Sequence, residues 1–234
     1  MTTTNDRPAS HPNVTNVADA PTIARLYQET RERILTVVGP DDWSTEVPAC
    51  PGWSVRDVVA HLTAIADDWV NNGPLSGPPT DAETAAGVAR FNDRDVESIV
   101  AVWSSAAAQL DKLAESDGVK APLADLVVHE HDIRGAIARP GERDSAAVTC
   151  ASDQLLTGLQ TPTPLLVTVE DAEYHCGPDG SPEMQLRTTR FEALRWRTGR
   201  RSPTQLAAMD WSADPAPVLD HLYLFGPAAG DLVE

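Results

Sequence analysis

Apolar residues recur at helical spacing in four stretches of the amino-terminal part of the chain. This spacing predicts four amphipathic helices, from about Pro21 to Val38, from Val55 to about Trp69, from about Ala85 or Asp93 to Glu115, and from about Pro122 to Ala138. The second helix has a clear start, because Ser54 followed three residues later by Asp57 resembles a capping box. Four such helices joined by loops are typical of an up-down four-helix bundle.

The pattern changes after about Arg143, where short apolar runs replace the long amphipathic stretches. Three short strands are predicted at about 165–169, 172–176 and 184–188, with a Gly-Pro-Asp-Gly turn at 177–180 between the last two. Capping-box spacing predicts short helices after Thr189 and Ser202, and a last helix is predicted over about Pro217 to Leu224. The carboxy-terminal third is therefore predicted to be α+β, with its strand order left open.

These patterns divide the chain into three parts. Residues 1–19 are polar, include three consecutive threonines and show no periodicity, so we predict a disordered tail. Residues 20–143 are predicted to form the four-helix domain, and residues 144–234 the smaller α+β domain. The expected fold class is therefore a two-domain α+β protein.

Composition argues against several classes of function. The 234 residues carry a formal net charge of −17, which repels nucleic-acid phosphates and anionic membranes. No stretch reaches the ~18 uninterrupted apolar residues that span a bilayer, and the amino terminus lacks the apolar run of a signal peptide. We therefore expect a cytoplasmic protein that binds neither nucleic acid nor membrane. The acidic charge also disfavours a helix-turn-helix regulator.

A metal site is one interpretation of the second and fourth helices. Asp125 and His129 are four residues apart, so their side chains lie on the same helix face. His61, at the edge of the apolar face of the second helix, can supply a third ligand. Two histidines and a carboxylate suit catalytic zinc, and also Fe(II), Ni(II) or Mn(II). By spacing alone this signal is weak, and a core-edge histidine is usually structural.

Neighbouring polar residues offer competing assignments. His131 points roughly 200° away from His129 on a helix, so the two cannot easily share one ion. Asp132, three residues after His129, can be a hydrogen-bond acceptor behind it or a ligand itself. Asp57 can similarly orient the ring of His61. The three cysteines, Cys50, Cys150 and Cys176, form no CxxC pair and are expected to be reduced thiols.

Basic residues of the carboxy-terminal part are concentrated in one segment. All six fall between Arg187 and Arg201. A solvated basic face and an anion site both fit this cluster. Arg200 and Arg201 lie just before a predicted helix start, where free backbone N–H groups also favour an anion such as a carboxylate.

Three ordered motifs carry a resemblance to a known family. The stretches CPGWSVRDVVAHL, DLVVHEHDIRGAI and FEALRWRTGRRSPTQLAAMDW resemble the mycothiol-dependent maleylpyruvate isomerase family, within the DinB-like metalloprotein superfamily. The similarity extends from about Pro21 to Gly226. It implies an amino-terminal DinB-like four-helix bundle that holds a divalent metal, usually zinc. It also implies a carboxy-terminal α+β domain related to sterol-carrier-like folds.

The resemblance assigns roles to individual residues. It places the metal ligands on His61, Asp125 and His129, although the family pattern has Glu where this chain has the shorter Asp125. The family's carboxy-terminal arginine motif matches Arg200, Arg201 and Ser202. We accordingly predict Arg200 and Arg201 as catalytic residues, and Arg195 and Ser202 as residues that bind the thiol cosubstrate, mycothiol.

The expected function is that of a zinc- and mycothiol-dependent enzyme. It would activate a thiol for attack on an electrophilic, carboxylate-bearing small molecule, acting as an isomerase or a thiol S-transferase. It is expected to be a monomer or a homodimer. The alternative is a non-catalytic DinB-like regulatory protein that binds a metal or a ligand. Cys50, which closely precedes the second helix, is a lesser candidate for a nucleophile.

Overall fold

The computed structural model describes residues 18–75, 77, 79–182 and 184–234, so most of the predicted tail lies outside the described residues. Within them the chain forms eight α-helices, four strands and one short 3-10 helix at Leu219–His221. The helices are α1 (Ala20–Val37), α2 (Val55–Asn72), α3 (Asp81–Ala89), α4 (Val96–Ser116), α5 (Leu123–Ala136), α6 (Ala146–Thr157), α7 (Arg190–Arg197) and α8 (Pro203–Ala207). The strands are β1 (Leu165–Thr168), β2 (Glu173–Cys176), β3 (Met184–Arg187) and β4 (Asp210–Trp211).

Four long helices contact one another in a closed ring. Helices α1 and α2 each pack against both α4 and α5. Inside the ring the buried indole of Trp103 donates a hydrogen bond to the hydroxyl of Tyr27 at 2.9 Å. This ring consists of the four helices predicted from apolar spacing. It matters for function because it sets α2 beside α5, which carry the candidate metal ligands.

The third predicted helix is two helices in the structure. Thr80 forms a capping box with Glu83 and starts α3, which packs on α2. Asp95 then accepts a hydrogen bond from the backbone N–H of Ser98 and starts α4. The later predicted start, about Asp93, lies within three residues of the start of α4, whereas the earlier one, about Ala85, falls inside α3.

The start of α2 confirms the capping box at Ser54 and Asp57. The Ser54 side chain accepts from the backbone N–H of Asp57, and the Asp57 carboxylate accepts from the backbone N–H of Ser54 at 3.0 Å. The preceding loop is closed by a hydrogen bond from the Trp53 N–H to the Cys50 carbonyl at 3.0 Å. Gly52 lies between them at a φ of +83°, which favours glycine. This loop fixes Cys50 and Trp53 relative to His61.

The sheet has the order β2-β1-β3-β4. β1 pairs antiparallel with β2 and parallel with β3. The three predicted strands are confirmed, but the turn at 177–180 carries the chain past β1 instead of closing a hairpin between β2 and β3. β4 was not predicted. The predicted helix from Pro217 to Leu224 is wrong, because the N–H groups of His221 and Leu222 bond to carbonyls three residues earlier, which gives only a 3-10 helix, and the Leu224 N–H donates to the Arg197 carbonyl instead.

Buried apolar residues form two large clusters. The first fills the ring of α1, α2, α4 and α5, and the second lies beneath the sheet. Helix α6, which was not predicted, contributes to both: Ala147, Val148 and Ala151 join the first, and Leu156 joins the second. Helix α7 does the same through Phe191 and Trp196. The two parts of the chain therefore share packed helices. Among the described residues, no helix has the length and apolarity needed to cross a membrane.

Candidate metal centre

His61 lies on α2 and is buried between two rings. The Trp53 ring centroid is 5.3 Å from that of His61, and the His129 ring centroid is 5.0 Å away in an edge-on arrangement. Asp57 does not orient this histidine, because both oxygens of its carboxylate face other groups. One binds Ser54 in the helix cap and the other lies 3.5 Å from Arg56.

Helix α5 brings Asp125 and His129 to the same point as His61. Asp125 Oδ2 lies 3.4 Å from His61 Nε2, and Asp125 Oδ1 lies 3.6 Å from His129 Nε2. One ligand atom of each of the three residues lies within 4.8 Å of the others. The shorter carboxylate of Asp125 therefore reaches both histidines.

The two nitrogen–oxygen distances, each to a different oxygen of Asp125, are close to the distance between two ligands of one zinc ion. With zinc–ligand distances of about 2.0–2.1 Å, two ligand atoms at a tetrahedral angle lie about 3.3–3.4 Å apart. The Oδ2 atom of Asp125 is buried and has no hydrogen-bond partner, which a cation would satisfy. The Asp125 side chain as a whole is 40% exposed, so one side of the group stays open to a further ligand.

Electrostatics hold the carboxylate of Asp125 in its ionised form. Burial raises the pKa of this group, but His61 and then His129 outweigh burial and lower the pKa of Asp125 to about 2. Burial also lowers the pKa of His129, which favours the neutral imidazole. A neutral imidazole and an ionised carboxylate are the protonation states that ligate a metal.

Asp132 orients the ring of His129 from behind. Its Oδ2 lies 2.9 Å from His129 Nδ1, which leaves Nε2 facing Asp125. A carboxylate on the second nitrogen of a metal-binding histidine fixes the ring and raises its basicity. Of the two roles considered for Asp132 from the sequence, the geometry favours the acceptor behind His129.

Two arginines hold Asp132 in turn. Arg195 Nη2 lies 2.7 Å from Asp132 Oδ1, and Arg200 Nη2 lies 2.8 Å from Asp132 Oδ2. The side chains of Asp132 and Arg195 are both 0% exposed. Burial raises the pKa of Asp132, but Arg200 and Arg195 outweigh this and hold it well below its usual range. The segment that carries the arginine motif thus lies directly behind the candidate metal ligands.

Arg201 and Ser202 point elsewhere. Arg201 donates to both oxygens of Glu192, at 2.7 and 2.8 Å, and lies 3.2 Å from Glu234 Oε2. Ser202 is the N-cap of α8, in a capping box with Gln205, and its hydroxyl also contacts Asp231. The structure therefore brings Arg195 and Arg200 to the candidate metal ligands, whereas Arg201 and Ser202 contact the carboxy-terminal segment, residues 228–234.

Cys50 lies beside the same group, and its thiol is held protonated. Its Sγ is 3.7 Å from His129 Nδ1, 3.5 Å from Asp132 Oδ2 and 3.9 Å from Arg200 Nη2. Burial and then the charge of Asp132 raise the pKa of the Cys50 thiol far above neutrality. This environment disfavours the role of nucleophile.

Cys50, His129 and Asp132 form a second group of potential ligands. It suits a metal poorly, because Asp132 already accepts from two arginines and the thiol of Cys50 favours its protonated form. His131 belongs to neither group. It packs edge-on against Phe191, with ring centroids 4.8 Å apart, as its helical position predicts.

Sequence reasoning missed two acidic partners of the arginines. Glu192 and Glu234 bind Arg201, and Glu234 also binds Arg195. Glu192 interrupts the basic segment and lies nine residues before Arg201, but Glu234 is far away in sequence and has no local signal.

Gly199 fixes the turn from α7 into the arginine pair. It has a φ of +79°, and a Cβ there would collide with the carbonyl oxygen of Gly226. We expect Gly199→Ala to lower the free energy of unfolding by at least about 2 kcal/mol, since both strain and a backbone clash result. Gly118→Ala, at a φ of +67° with open space around it, should cost only about 1 kcal/mol. Urea denaturation measures the free energy of unfolding of both variants. If both substitutions lower it by the same amount, the clash at Gly199 is contradicted.

Comparisons with known proteins show one family match and two similar solved structures. The family model described as the mycothiol maleylpyruvate isomerase N-terminal domain matches residues 25–134, a range that includes His61, Asp125 and His129. No curated protein matches the chain significantly. A crystal structure of the mycothiol-dependent maleylpyruvate isomerase is similar at 16% identity and a TM-score of 0.49, covering 77% of this chain and 88% of that one. A mutant of that isomerase gives the same coverage and TM-score at 15% identity. Residues 25–134 of this chain therefore match the N-terminal domain of the mycothiol maleylpyruvate isomerase family.

Proposed function

We propose that this protein is a metal-dependent thiol enzyme that uses mycothiol, with zinc as the leading candidate for the metal. The observation that carries the proposal is the convergence of His61, Asp125 and His129 within 4.8 Å, in a chain whose residues 25–134 match the N-terminal domain of this family. A metal bound there would lower the pKa of a coordinating thiol and so favour thiolate at neutral pH.

The three ligands have distinct contributions in this proposal. His129 offers Nε2 because Asp132 occupies its Nδ1. Asp125 supplies the negative charge that compensates the metal, and its partly open side leaves room for the thiol. Trp53 packs against His61, whose side chain is buried away from water. Loss of water strengthens each of these electrostatic interactions.

Of the four residues predicted from the arginine motif, Arg200 is best placed to act on a substrate. It lies beside Asp132 and Cys50, close enough to Asp125 to lower the pKa of that carboxyl group. A guanidinium group there can bind a carboxylate and stabilise developing negative charge. The roles of Arg201 as a catalytic residue, and of Arg195 and Ser202 in binding the thiol, stay predictions, since Arg195 is 0% exposed and Arg201 and Ser202 contact other groups.

The proposed reaction begins with addition of the thiolate to a conjugated double bond of a small electrophile. The former double bond rotates, and the thiolate then leaves with its electron pair, which gives an isomerised product and the original thiol. If the adduct is released instead, after protonation of the carbon next to the new C–S bond, the protein is a thiol S-transferase. Arg200 would hold a carboxylate of the substrate through either outcome.

The domain division also belongs to this proposal. The closed ring of α1, α2, α4 and α5 supports a DinB-like four-helix domain over residues 20–143, with a smaller, sterol-carrier-like α+β domain over 144–234. Helix α6 packs on α5 and α7, so the boundary at 143 lies within a continuous packed region. A cytoplasmic monomer or homodimer without nucleic-acid or membrane partners stays our prediction.

A turnover assay tests the proposed activity. Purified, zinc-loaded protein is incubated with mycothiol and a cis-enedioate, and both isomerisation and thiol adducts are followed by chromatography. We expect thiol-dependent turnover that a chelator abolishes and zinc restores. If fully loaded protein yields neither product with a panel of electrophiles, the enzyme proposal is wrong, and the non-catalytic regulatory alternative is favoured.

A further inference from the structure

We infer that Glu234 is a positioning residue for the metal centre, acting through Arg195 and Asp132 on His129. The inference rests on the proposed metal site and extends it to the carboxy-terminal segment. It assigns this segment a role in metal binding that apolar packing alone would not give.

Four side chains form a continuous series of contacts. Glu234 Oε2 accepts from Arg195 Nε at 3.0 Å, and its Oε1 accepts from Arg195 Nη2. The same Nη2 donates to Asp132 Oδ1 at 2.7 Å. Asp132 Oδ2 lies 2.9 Å from His129 Nδ1. Each member of the series is buried or nearly so, with 8% exposure for the side chains of both Glu234 and His129.

Arg195 is oriented by carboxylates that flank it on both sides. Its remaining bond is from Nη1 to the Val128 carbonyl at 3.0 Å. Without Glu234, the Nε atom of the fully buried Arg195 guanidinium has no hydrogen-bond acceptor, and its Nη2 atom keeps Asp132 as its one acceptor. A buried donor without a partner is costly, so Arg195 would turn toward Asp132 and compete with His129 for the same carboxylate.

The balance of charge around Arg195 also predicts weaker metal binding when Glu234 is lost. Arg195, Arg200 and Arg201 contact three carboxylates, those of Asp132, Glu192 and Glu234, so the cluster is balanced. Loss of the Glu234 charge leaves one excess positive charge behind the histidine that faces the metal. Since buried charges are weakly screened, this excess opposes binding of a divalent cation.

The carboxy-terminal segment is clamped independently of Glu234. The Ala228 N–H donates to the Arg201 carbonyl at 3.2 Å. Gln205 donates to the Leu232 carbonyl at 2.7 Å and accepts from the Leu232 N–H at 3.2 Å. Asp231 contacts the Ser202 hydroxyl. Asp231 therefore offers a matched control, because it fixes the same segment and touches no arginine of the cluster.

Zinc affinity tests the inference. We compare Glu234→Gln, Glu234→Asp and Asp231→Asn with the full-length wild type, by competition with a chromophoric chelator. Glu234→Gln is expected to weaken zinc binding about ten-fold, as for other partners behind metal ligands. Glu234→Asp, which keeps the charge, should lie between it and the wild type, and Asp231→Asn should keep the wild-type affinity. Circular dichroism of the metal-free proteins checks that each variant is folded.

The possible results separate this inference from the metal site itself. If Glu234→Gln binds zinc as tightly as the wild type while His129→Ala does not bind, the positioning role is wrong and the metal site stands. If Asp231→Asn weakens binding as much as Glu234→Gln, the effect comes from loosening the segment, and the role of the Glu234 carboxylate is again wrong. If the wild type binds no zinc, the metal site fails, and this inference fails with it.

Discussion

Replacing His129 by alanine is expected to weaken zinc binding by at least about 100-fold, so that the purified variant contains no stoichiometric metal. His129 has two roles in this site. Its Nε2 faces Asp125 at 3.6 Å, and its Nδ1 links the group to Asp132 at 2.9 Å. Its loss removes a ligand and also disconnects the supporting arginines. Metal content by elemental analysis, with affinity by chelator competition, measures the effect.

His131→Leu is the matched control for this variant. It removes a histidine from the same helix, two positions away, where the ring packs against Phe191 and one nitrogen is buried without a partner. We expect this protein to retain one zinc per chain. Stoichiometric zinc in His129→Ala, or its loss in His131→Leu with the fold retained, would show that the ligands lie elsewhere.

The second large effect is on stability. Asp132→Ala is expected to lower the free energy of unfolding by about 3–5 kcal/mol, because it leaves buried positive charge without its partner. Arg195 is 0% exposed, and Arg200 is 14% exposed with its side chain directed at the same carboxylate. Chemical denaturation of metal-free protein measures this loss without any contribution from metal binding.

Asp68→Ala provides the comparison at the surface. Asp68 pairs with Arg90 at 2.8 Å, but both side chains are 38–40% exposed. Exposed ion pairs contribute about 0–1 kcal/mol, so this variant should be almost as stable as the wild type. If the two substitutions lower the free energy of unfolding by similar amounts, the buried cluster around Asp132 does not stabilise the fold.

Local patterns in the sequence predicted much of the helical part. The capping box at Ser54 and Asp57 placed the start of α2, and the spacing of Asp125 and His129 placed two candidate ligands on one face of α5. These features depend on residues within four positions of each other. That range is also the range of helical periodicity, so the sequence alone carries the signal.

Other features depend on contacts between distant residues. Helix α6 was missed because its buried residues, Ala147, Val148 and Ala151, are small and give a weak apolar pattern. The order of the strands was left open because β3 pairs with β1 and not with β2, the strand that precedes it in the sequence. The partnership of Glu234 with Arg195 spans 39 residues, and no local pattern marks it.

The metal site combined both kinds of information. Spacing paired Asp125 with His129, helix position offered His61 as the third ligand, and the resemblance to a family assigned the same three residues. Whether an aspartate could replace the family's glutamate depended on the distance between α2 and α5, which the sequence does not contain. In the structure Asp125 lies 3.4 Å from one histidine and 3.6 Å from the other.

X-ray absorption spectroscopy at the zinc edge, on thiol-free protein loaded with one zinc per chain, tests the metal site most directly. It also distinguishes the two groups of potential ligands around His129, since only one contains sulfur. We predict a first shell of nitrogen and oxygen alone at about 2.0–2.2 Å, from His61, Asp125, His129 and water. A sulfur scatterer at about 2.3 Å would place the zinc on Cys50, and protein that cannot be loaded would contradict the site altogether.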